Sequence, residues 1–437
     1  MMKIAMIGAG SVVFARTLLT DILSFPELRN CTISLMDIDS ERLELITALA
    51  KKLVADNHLP ATIESTTDRR ACLTGADYVI VMIQVGGLEA YKLDVEIPLK
   101  YGVDQCVGDT LGPGGIFRGL RSIPVMIDIC RDMEELCPTA LLLNYSNPMA
   151  INCWGMFEAT SIATVGLCHG VPGTAHVLAE LIGAPPEEIT YWTAGINHMA
   201  WFLQFKWKEE DAYPLLWKNL KPMGTPEPRE KYRMDMMKAF GYFMTESSGH
   251  LSEYIPYYRK RDDLKNLFND PEFGGESLFY YRHCCERQDE HYDEIKQQIA
   301  GEKEIPFGER SGEYGAYIIH AVESNTPFRF NGNVRNTGLI TNLRQGSCVE
   351  VPCFVDSFGV HPCYVGDLPP QCAALCESNI RVQEMTVQGS LLGDEKRIFG
   401  AVLADPLTAA VCAPHEVEKM VDEMFEAQEQ WLPQFAW

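Results

Sequence analysis

This sequence has no long apolar run, fewer basic than acidic residues and no dense pattern of cysteines. No stretch approaches the roughly 20 apolar residues that a helix needs to cross a bilayer, so no transmembrane segment is expected. Lys and Arg number 37 against 60 Asp and Glu, and the formal net charge of -23 would repel a phosphate backbone. Neither a membrane protein nor a nucleic-acid-binding protein is therefore expected.

The 15 cysteines are scattered over 437 residues, without the dense spacing of a disulfide-stabilised secreted domain. Adjacent Cys284 and Cys285 have no CxxC partner and are predicted to be packing residues. Residues 1–7 run straight into a glycine turn and show no convincing cleavage site, so they predict a buried strand and no signal peptide. Together these features predict a cytoplasmic protein with reduced thiols.

The length predicts two joined domains, residues 1–190 and 191–437. The first alternates short apolar runs with helical patterns, which predicts an α/β, doubly wound, Rossmann-like parallel sheet. The second mixes strands with long helices and predicts an α+β domain, as in lactate and malate dehydrogenases. The predicted strands are 3–7, 32–36, 78–83, 141–144, 163–167, 201–208 and 348–354, the predicted helices are 40–55, 115–136 and 368–393, and residues 209–233 are predicted as a polar excursion.

The segment GAGS at residues 8–11 follows a predicted strand and precedes a predicted helix, the context in which a GxG pair indicates dinucleotide binding. Glycines permit the tight turn and let a pyrophosphate approach the helix N-terminus. Asp37 ends the second strand and could bond the ribose 2′-hydroxyl of NAD, so Gly8, Gly10, Ser11 and Asp37 are predicted cofactor-binding residues. Val13 departs from the fingerprint, and the alternative is a plain strand-to-helix turn with Asp37 as a helix cap.

Cys168 and His198 each come just after a predicted strand. Function concentrates at the carboxyl ends of strands in open α/β sheets, so the two side chains could converge on one cleft and share a metal ion. By themselves they could equally be a buried thiol and a hydrogen-bonded core histidine, and such a pair favours zinc or iron before manganese. A second glycine-rich segment, residues 108–115, is a candidate wall of the same cleft.

Several segments together carry a resemblance to a known family. They are GAGS, MDID, GDTLGPGGIFRGLR, NYSNPMA, GLCHGV, AGINHM, GYFMTESSGHLSEYIP and GNVRNTGLITNL. The chain resembles glycoside hydrolase family 4, especially its melibiase-like α-galactosidases, over nearly its whole length. This family is an NAD-dependent exception to the two-carboxylate rule of glycosidases.

The resemblance implies a redox-assisted elimination that requires NAD and a divalent metal, usually Mn²⁺. NAD⁺ removes hydride from C3 of the sugar, a base takes the acidified C2 proton, and the glycosidic oxygen leaves. Water then adds and the hydride returns to C3, so NAD is regenerated. By matching motif, Cys168 and His198 are the implied metal ligands and Asn147 the implied contact to the substrate hydroxyls.

The resemblance also implies the proton-transfer residues. His169 occupies the position that serves as the leaving-group acid in relatives with Asp there, and an imidazolium can donate a proton near neutral pH. The alternative is that His169 only orients the site. Tyr254 is the best match to the tyrosine that serves some relatives as the C2 base, with His250 and Glu246 as rivals. A phenol with an ordinary pKa near ~10 needs a nearby cation for that role.

Gly170 departs from the melibiase-like pattern, which reads Cys-His-Ser-Val. A glycine there resembles the glucuronidase-like branch and is expected to leave room for a bulkier or charged C5 substituent. An α-glucuronidase or α-galacturonidase is therefore the alternative to an α-galactosidase, and an NAD-dependent hydroxyacid dehydrogenase is the alternative outside the family. A sugar phosphate is not expected as the substrate, because residues 86–98 lack the arginine of phosphosugar relatives. The resemblance also implies a homodimer or a homotetramer.

Overall fold

The computed structural model describes residues 1–11, 14–219, 230–268 and 275–435, and their strands form one mixed sheet. The strands are β1 (Met2–Ile7), β2 (Cys31–Met36), β3 (Thr62–Thr66), β4 (Tyr78–Val81), β5 (Leu141–Asn144), β6 (Thr164–Leu167), β7 (Ile189–Ile196), β8 (Met199–Trp207), β9 (Glu210–Asp211), β10 (Phe328–Arg335), β11 (Cys348–Asp356) and β12 (Gly359–Pro362). Their order is β3-β2-β1-β4-β5-β6-β10-β11-β7-β8-β9, and β12 pairs with β11.

The first six strands are parallel, in the order 3-2-1-4-5-6 of doubly wound dinucleotide-binding sheets. The predicted Rossmann-like α/β fold is thereby confirmed. Strands β1 and β4 are buried along most of their length, which explains why they appear in the sequence as unbroken apolar runs. The strand order reverses between them, and the crevice at such a point is where these sheets bind ligands.

Strand β3 is the strand of this half that the sequence did not predict. It lies at the sheet edge, pairs with β2 alone and has no fully buried residue. Its sequence TIEST therefore carries no apolar run. The other predicted strands of the parallel half begin and end within two residues of the observed ones.

The sheet continues past β6 in antiparallel pairs, beginning where β10 joins β6 through Gly332 opposite Leu167. The predicted strands 201–208 and 348–354 correspond to β8 and β11. The predicted domain division at residue 190 stays a prediction. Residues 220–229, part of the predicted excursion 209–233, lie outside the described residues.

Helices flank the sheet, and the predicted helices 40–55, 115–136 and 368–393 correspond to α2, α5 and α14 below. The helices are α1 (Phe14–Ser24), α2 (Ser40–Asp56), α3 (Arg69–Leu73), α4 (Gly87–Lys100), α5 (Gly112–Leu136), α6 (Met149–Ala159), α7 (Gly170–Ile182), α8 (Tyr213–Asn219), α9 (Lys231–Phe240), α10 (Ser248–Tyr254), α11 (Asp262–Phe268), α12 (Phe279–Ala300), α13 (Tyr314–Ser324), α14 (Pro370–Leu392), α15 (Glu395–Ala404), α16 (Pro406–Val411) and α17 (Pro414–Gln428). Among the described residues, none of these helices has both the length and the apolar character needed to cross a membrane.

Candidate active site

The turn between β1 and α1 is packed so closely that its glycines have no room for a side chain. Gly8 has a φ of +83°, and a Cβ on it would lie 2.5 Å from the carbonyl oxygen of Met82. Gly10 donates its backbone N–H to Asp37 Oδ2 at 2.8 Å, and a Cβ there would lie 2.7 Å from the same oxygen. This turn therefore ties the carboxyl ends of β1, β2 and β4 together at the crevice.

Asp37 and its neighbours form a partly exposed acidic surface beside that turn. Asp37 is half-buried, and its other oxygen accepts from the backbone N–H of Asp39 at 2.9 Å. Ile38 is 90% exposed, an apolar side chain without cover at the mouth of the crevice. Ser11 closes the turn by donating its N–H to the Gly8 carbonyl oxygen at 3.0 Å, and Val13 lies outside the described residues.

At the same sheet edge, Cys168, His198 and Glu246 converge. Cys168 follows β6, His198 lies in the turn between β7 and β8, and Glu246 precedes α10. Glu246 Oε2 lies 3.7 Å from Cys168 Sγ and 3.7 Å from His198 Nε2. One ligand atom from each residue lies within 4.8 Å of the other two, which is close enough for one ion to contact all three.

His198 is held as a neutral imidazole. Its exposed fraction is 5%, and burial lowers its pKa to about 4. Nδ1 lies 3.0 Å from the Tyr254 hydroxyl and 3.4 Å from the Thr110 hydroxyl, while Nε2 faces Glu246. A neutral ring whose second nitrogen is hydrogen-bonded is the form in which histidine binds metals.

Cys168 lies in an environment that disfavours a thiolate unless a cation is present. Burial raises the pKa of its thiol well above the usual range, and the carboxyls of Glu246 and Glu350 raise it further. Within the described part of the chain, the buried amide of Asn197 finds no hydrogen-bond partner for its nitrogen or its oxygen. A thiol, a neutral imidazole, a carboxylate and an unsatisfied amide fit a divalent transition-metal ion.

The predicted base and its rivals all lie at this site. Tyr254 is fully buried, and burial together with Asp109 raises its pKa well above the usual range. His250 packs its ring 4.6 Å from that of His198 and shares a 2.8 Å hydrogen bond with the Ser247 hydroxyl. Tyr254 can therefore act as a base only with positive charge close by.

Asn147 joins the opposite wall, where residues 104–111 approach the cluster. Its Nδ2 donates to Asp109 Oδ2 at 3.1 Å, and Arg118 Nε donates to its carbonyl oxygen at 3.2 Å. Burial opposes ionisation of Asp109, but Arg118, His250 and His198 outweigh it and lower its pKa. An ionised carboxylate and an amide thus lie side by side near His198, an arrangement that suits the hydroxyl groups of a sugar.

His169 stands at the start of α7, with 60% of its side chain exposed. Its Nδ1 lies 3.2 Å from Glu313 Oε1, and this contact raises its pKa to about 9. His169 is therefore a protonated, solvent-accessible acid at neutral pH.

Gly170 does not create the open space expected from the sequence. A Cβ at this position would lie 1.9 Å from Glu246 Oε2, so the carboxylate of Glu246 already fills the space that a side chain would take. The expectation of free space beside Gly170 is therefore wrong, whereas its effect on the C5 substituent of the substrate stays a prediction.

Sequence reasoning missed Glu313, Glu350 and the direct contact of Asp109 with Asn147. The candidate wall of the cleft, residues 108–115, includes Asp109, but its sequence does not single this residue out. Glu313 and Glu350 carry no local motif and become visible only through their neighbours in space.

The sequence matches one known family along most of its length. The model of the family 4 glycosyl hydrolases matches residues 3–184, and the model of that family's C-terminal domain matches residues 193–408. The α-galactosidase of Rhizobium meliloti is 44% identical, covering 99% of this chain and 90% of its own. That of Bacillus subtilis is 41% identical over the whole of both chains, and an α-galacturonidase of Lachnoclostridium phytofermentans is 30% identical over 99% and 97%.

Two solved structures share the fold. The lplD protein of Bacillus subtilis superposes with a TM-score of 0.86 at 28% identity, covering 97% of this chain and 99% of its own. A 6-phospho-α-glucosidase from gut microorganisms, solved in complex with NAD and Mn²⁺, has a TM-score of 0.82 at 21% identity over the whole of both chains.

Proposed function

This chain belongs to family 4 of the glycosyl hydrolases, and on that premise we propose that it is an α-galactosidase with NAD and Mn²⁺ as its cofactors. The main support for the proposal is that two features lie at the same edge of the sheet. They are the glycine turn beside Asp37 and the cluster of Cys168, His198 and Glu246. Two α-galactosidases more than 40% identical over this whole chain support the substrate class.

The residues present fit both cofactors. Gly8, Gly10, Ser11 and Asp37 form the cofactor turn, and exposed Ile38 beside Asp37 offers an apolar surface for the adenine ring. Cys168 and His198 would hold the metal ion. When bound, NAD⁺ would supply the acceptor for the C3 hydride, and the divalent ion would supply the positive charge that acidifies the C2 proton and favours the Tyr254 phenolate.

The chain's own residues then move the protons. Tyr254 takes the proton from C2, and its hydroxyl is held in place 3.0 Å from His198 Nδ1. His169, kept protonated by Glu313, gives a proton to the glycosidic oxygen as it leaves. Asn147 holds the sugar hydroxyls.

One observation keeps an α-galacturonidase, or a glucuronidase, as the second candidate. Arg118 is half-buried beside Asn147 and forms no ion pair within the described ranges, so it could receive a sugar carboxylate. The ionised Asp109 on the same wall repels a carboxylate and accepts from neutral hydroxyls. Asp109 therefore favours a neutral galactoside over a uronide as the substrate.

A panel of 4-nitrophenyl α-galactoside, α-glucoside, α-glucuronide and α-galacturonide, each with NAD⁺, Mn²⁺ and a reductant, tests the proposal. The α-galactoside is expected to react fastest, with no net NADH, and Cys168→Ser is expected to abolish release. Preference for a uronide would favour the second candidate. NADH formed in step with product would indicate a hydroxyacid dehydrogenase, and absence of any release would refute a glycosidase.

We also propose that the enzyme is a cytoplasmic homodimer or homotetramer that binds no nucleic acid. Each of the 15 cysteines is a free thiol, which supports a reducing compartment, and the net charge of -23 disfavours nucleic acid. Exposed Phe358 and Tyr364 near the β11–β12 hairpin support an interface between copies. Light scattering of wild type and Phe358→Ser would test the assembly.

A further inference from the structure

The carboxylate of Glu246 lies where a third metal ligand would lie. Its Oε2 is equidistant, at 3.7 Å, from Cys168 Sγ and His198 Nε2. Ligand atoms bound about 2.0–2.3 Å from one ion lie about 3–4.5 Å from one another, so both separations suit coordination of a single ion. The Cys168 thiol donates a weak hydrogen bond to this oxygen, whereas 3.7 Å is too long for a hydrogen bond to His198 Nε2.

The backbone holds this carboxylate in place at a conformational cost. Glu246 has a φ of +73° and His198 a φ of +60°, a region that residues with a Cβ rarely occupy. The Thr174 hydroxyl donates to the Glu246 carbonyl oxygen at 3.4 Å, and Arg233 donates to the Thr174 hydroxyl at 3.0 Å. Two residues of the three-residue cluster thus adopt unfavourable conformations that aim their side chains at the same point.

Gly170 gives an independent reason to assign a role to Glu246. Its φ is not in the left-handed region, so its backbone conformation does not require glycine. A Cβ there would lie 1.9 Å from Glu246 Oε2 and 3.4 Å from Cys168 Sγ. A side chain at residue 170 would therefore have to displace the Glu246 carboxylate from its observed position.

We propose that Glu246 is a third protein ligand of the metal ion, and that Gly170 is the residue that admits its carboxylate to the site. The proposal rests on the proposed function only in taking Mn²⁺ as the ion. A Cys-His pair alone suits zinc or iron, whereas an added carboxylate oxygen favours the harder Mn²⁺. It also places a cation between a thiolate and a carboxylate that would otherwise repel each other.

Titration of metal-free enzyme with Mn²⁺ alone, without NAD or glycoside, tests the ligand role. Free Mn²⁺ is followed by its EPR signal. Glu246→Gln is expected to weaken Mn²⁺ binding at least about tenfold. Glu246→Ala, which leaves only Cys168 and His198 as ligands, is expected to lose more affinity for Mn²⁺ than for Zn²⁺. Glu350→Gln is the control for loss of a nearby buried acid: Glu350 has its pKa raised to about 8 by burial and by Glu246, and it lies outside the cluster. Because Glu350 raises the pKa of the Cys168 thiol, its removal favours the thiolate and should not weaken Mn²⁺ binding.

A double-mutant cycle tests the role of Gly170. Alanine normally stabilises a helix relative to glycine, so Gly170→Ala should be harmless unless its Cβ displaces Glu246. It is expected to weaken Mn²⁺ binding in the wild type and to add nothing in Glu246→Ala. Gly173→Ala is the control in the same helix, because a Cβ there meets no atom within 4 Å. Melting temperatures measured without Mn²⁺ report whether each variant is folded.

Two outcomes would overturn the proposal. If Glu246→Gln binds Mn²⁺ as wild type does but loses turnover, Glu246 is the C2 base and not a ligand. If Gly170→Ala weakens Mn²⁺ binding equally in both backgrounds, the glycine does not act through Glu246. Tight Mn²⁺ binding that depends on Glu246, in a protein that cleaves no glycoside, would leave the ligand assignment standing while refuting the proposed function.

Discussion

Replacing Glu313 by glutamine tests whether His169 protonates the leaving group. Glu313 Oε1 lies 3.2 Å from His169 Nδ1, and the contact raises the pKa of His169 from 6.5 to about 9. Glutamine keeps the size of the side chain and removes its charge. The pKa of His169 should therefore fall back toward its ordinary value.

The size of the effect follows from the two pKa values. Because folding raises the pKa of His169, its imidazolium form is present below about pH 9 and is lost as the pH rises through that value. At pH 7.5, a group of pKa 9 is about 97% protonated and one of pKa 6.5 about 9%, so Glu313→Gln should lose about tenfold in acid-assisted rate. Since His169 is 60% exposed, added salt should weaken the pairing in the wild type.

The assay compares two substrates that differ only in their leaving group. Nitrophenolate departs without a proton, whereas methoxide needs one, so kcat/KM is measured against pH for 4-nitrophenyl and methyl α-galactoside. The alkaline limb for the methyl glycoside should move from about pH 9 toward pH 6.5 in Glu313→Gln, with the nitrophenyl glycoside little changed. An unmoved limb, or equal slowing of both substrates by His169→Asn, would refute the reasoning.

Three further substitutions have clear expected outcomes. Cys168→Ser should weaken Mn²⁺ binding at least about tenfold by isothermal titration, because an alcohol ionises far less readily than a thiol. Tyr254→Phe, assayed at saturating Mn²⁺ because it also removes the hydrogen bond to His198 Nδ1, should stop exchange of the C2 proton with deuterated solvent. Exchange that is retained in Tyr254→Phe but lost in His250→Gln would transfer the base role to His250. Asp37→Asn should weaken NAD binding about tenfold, since a charged acceptor for the ribose hydroxyl is lost. Unchanged binding would mean that Asp37 only holds Gly10 in place through the backbone hydrogen bond.

The parallel half of the fold could be predicted because its strands are buried on both faces, which leaves unbroken apolar runs such as residues 78–81. Edge strand β3 has no such run and left no signal. Cys168 and His198 could be placed at one cleft because they follow strands of the sheet. Glu246 could be named but not assigned a place, since it lies 78 residues from Cys168 in a loop whose path depends on tertiary contacts.

Gly170 shows why a motif departure needs the fold before it can be interpreted. In sequence, a glycine in place of serine suggests added space for the substrate. In the structure that space is taken by the Oε2 atom of Glu246, 76 positions away, so a side chain at residue 170 would first meet this carboxylate. Residues 170 and 246 therefore have to be considered as a pair when substrate preference is inferred from the Cys-His motif.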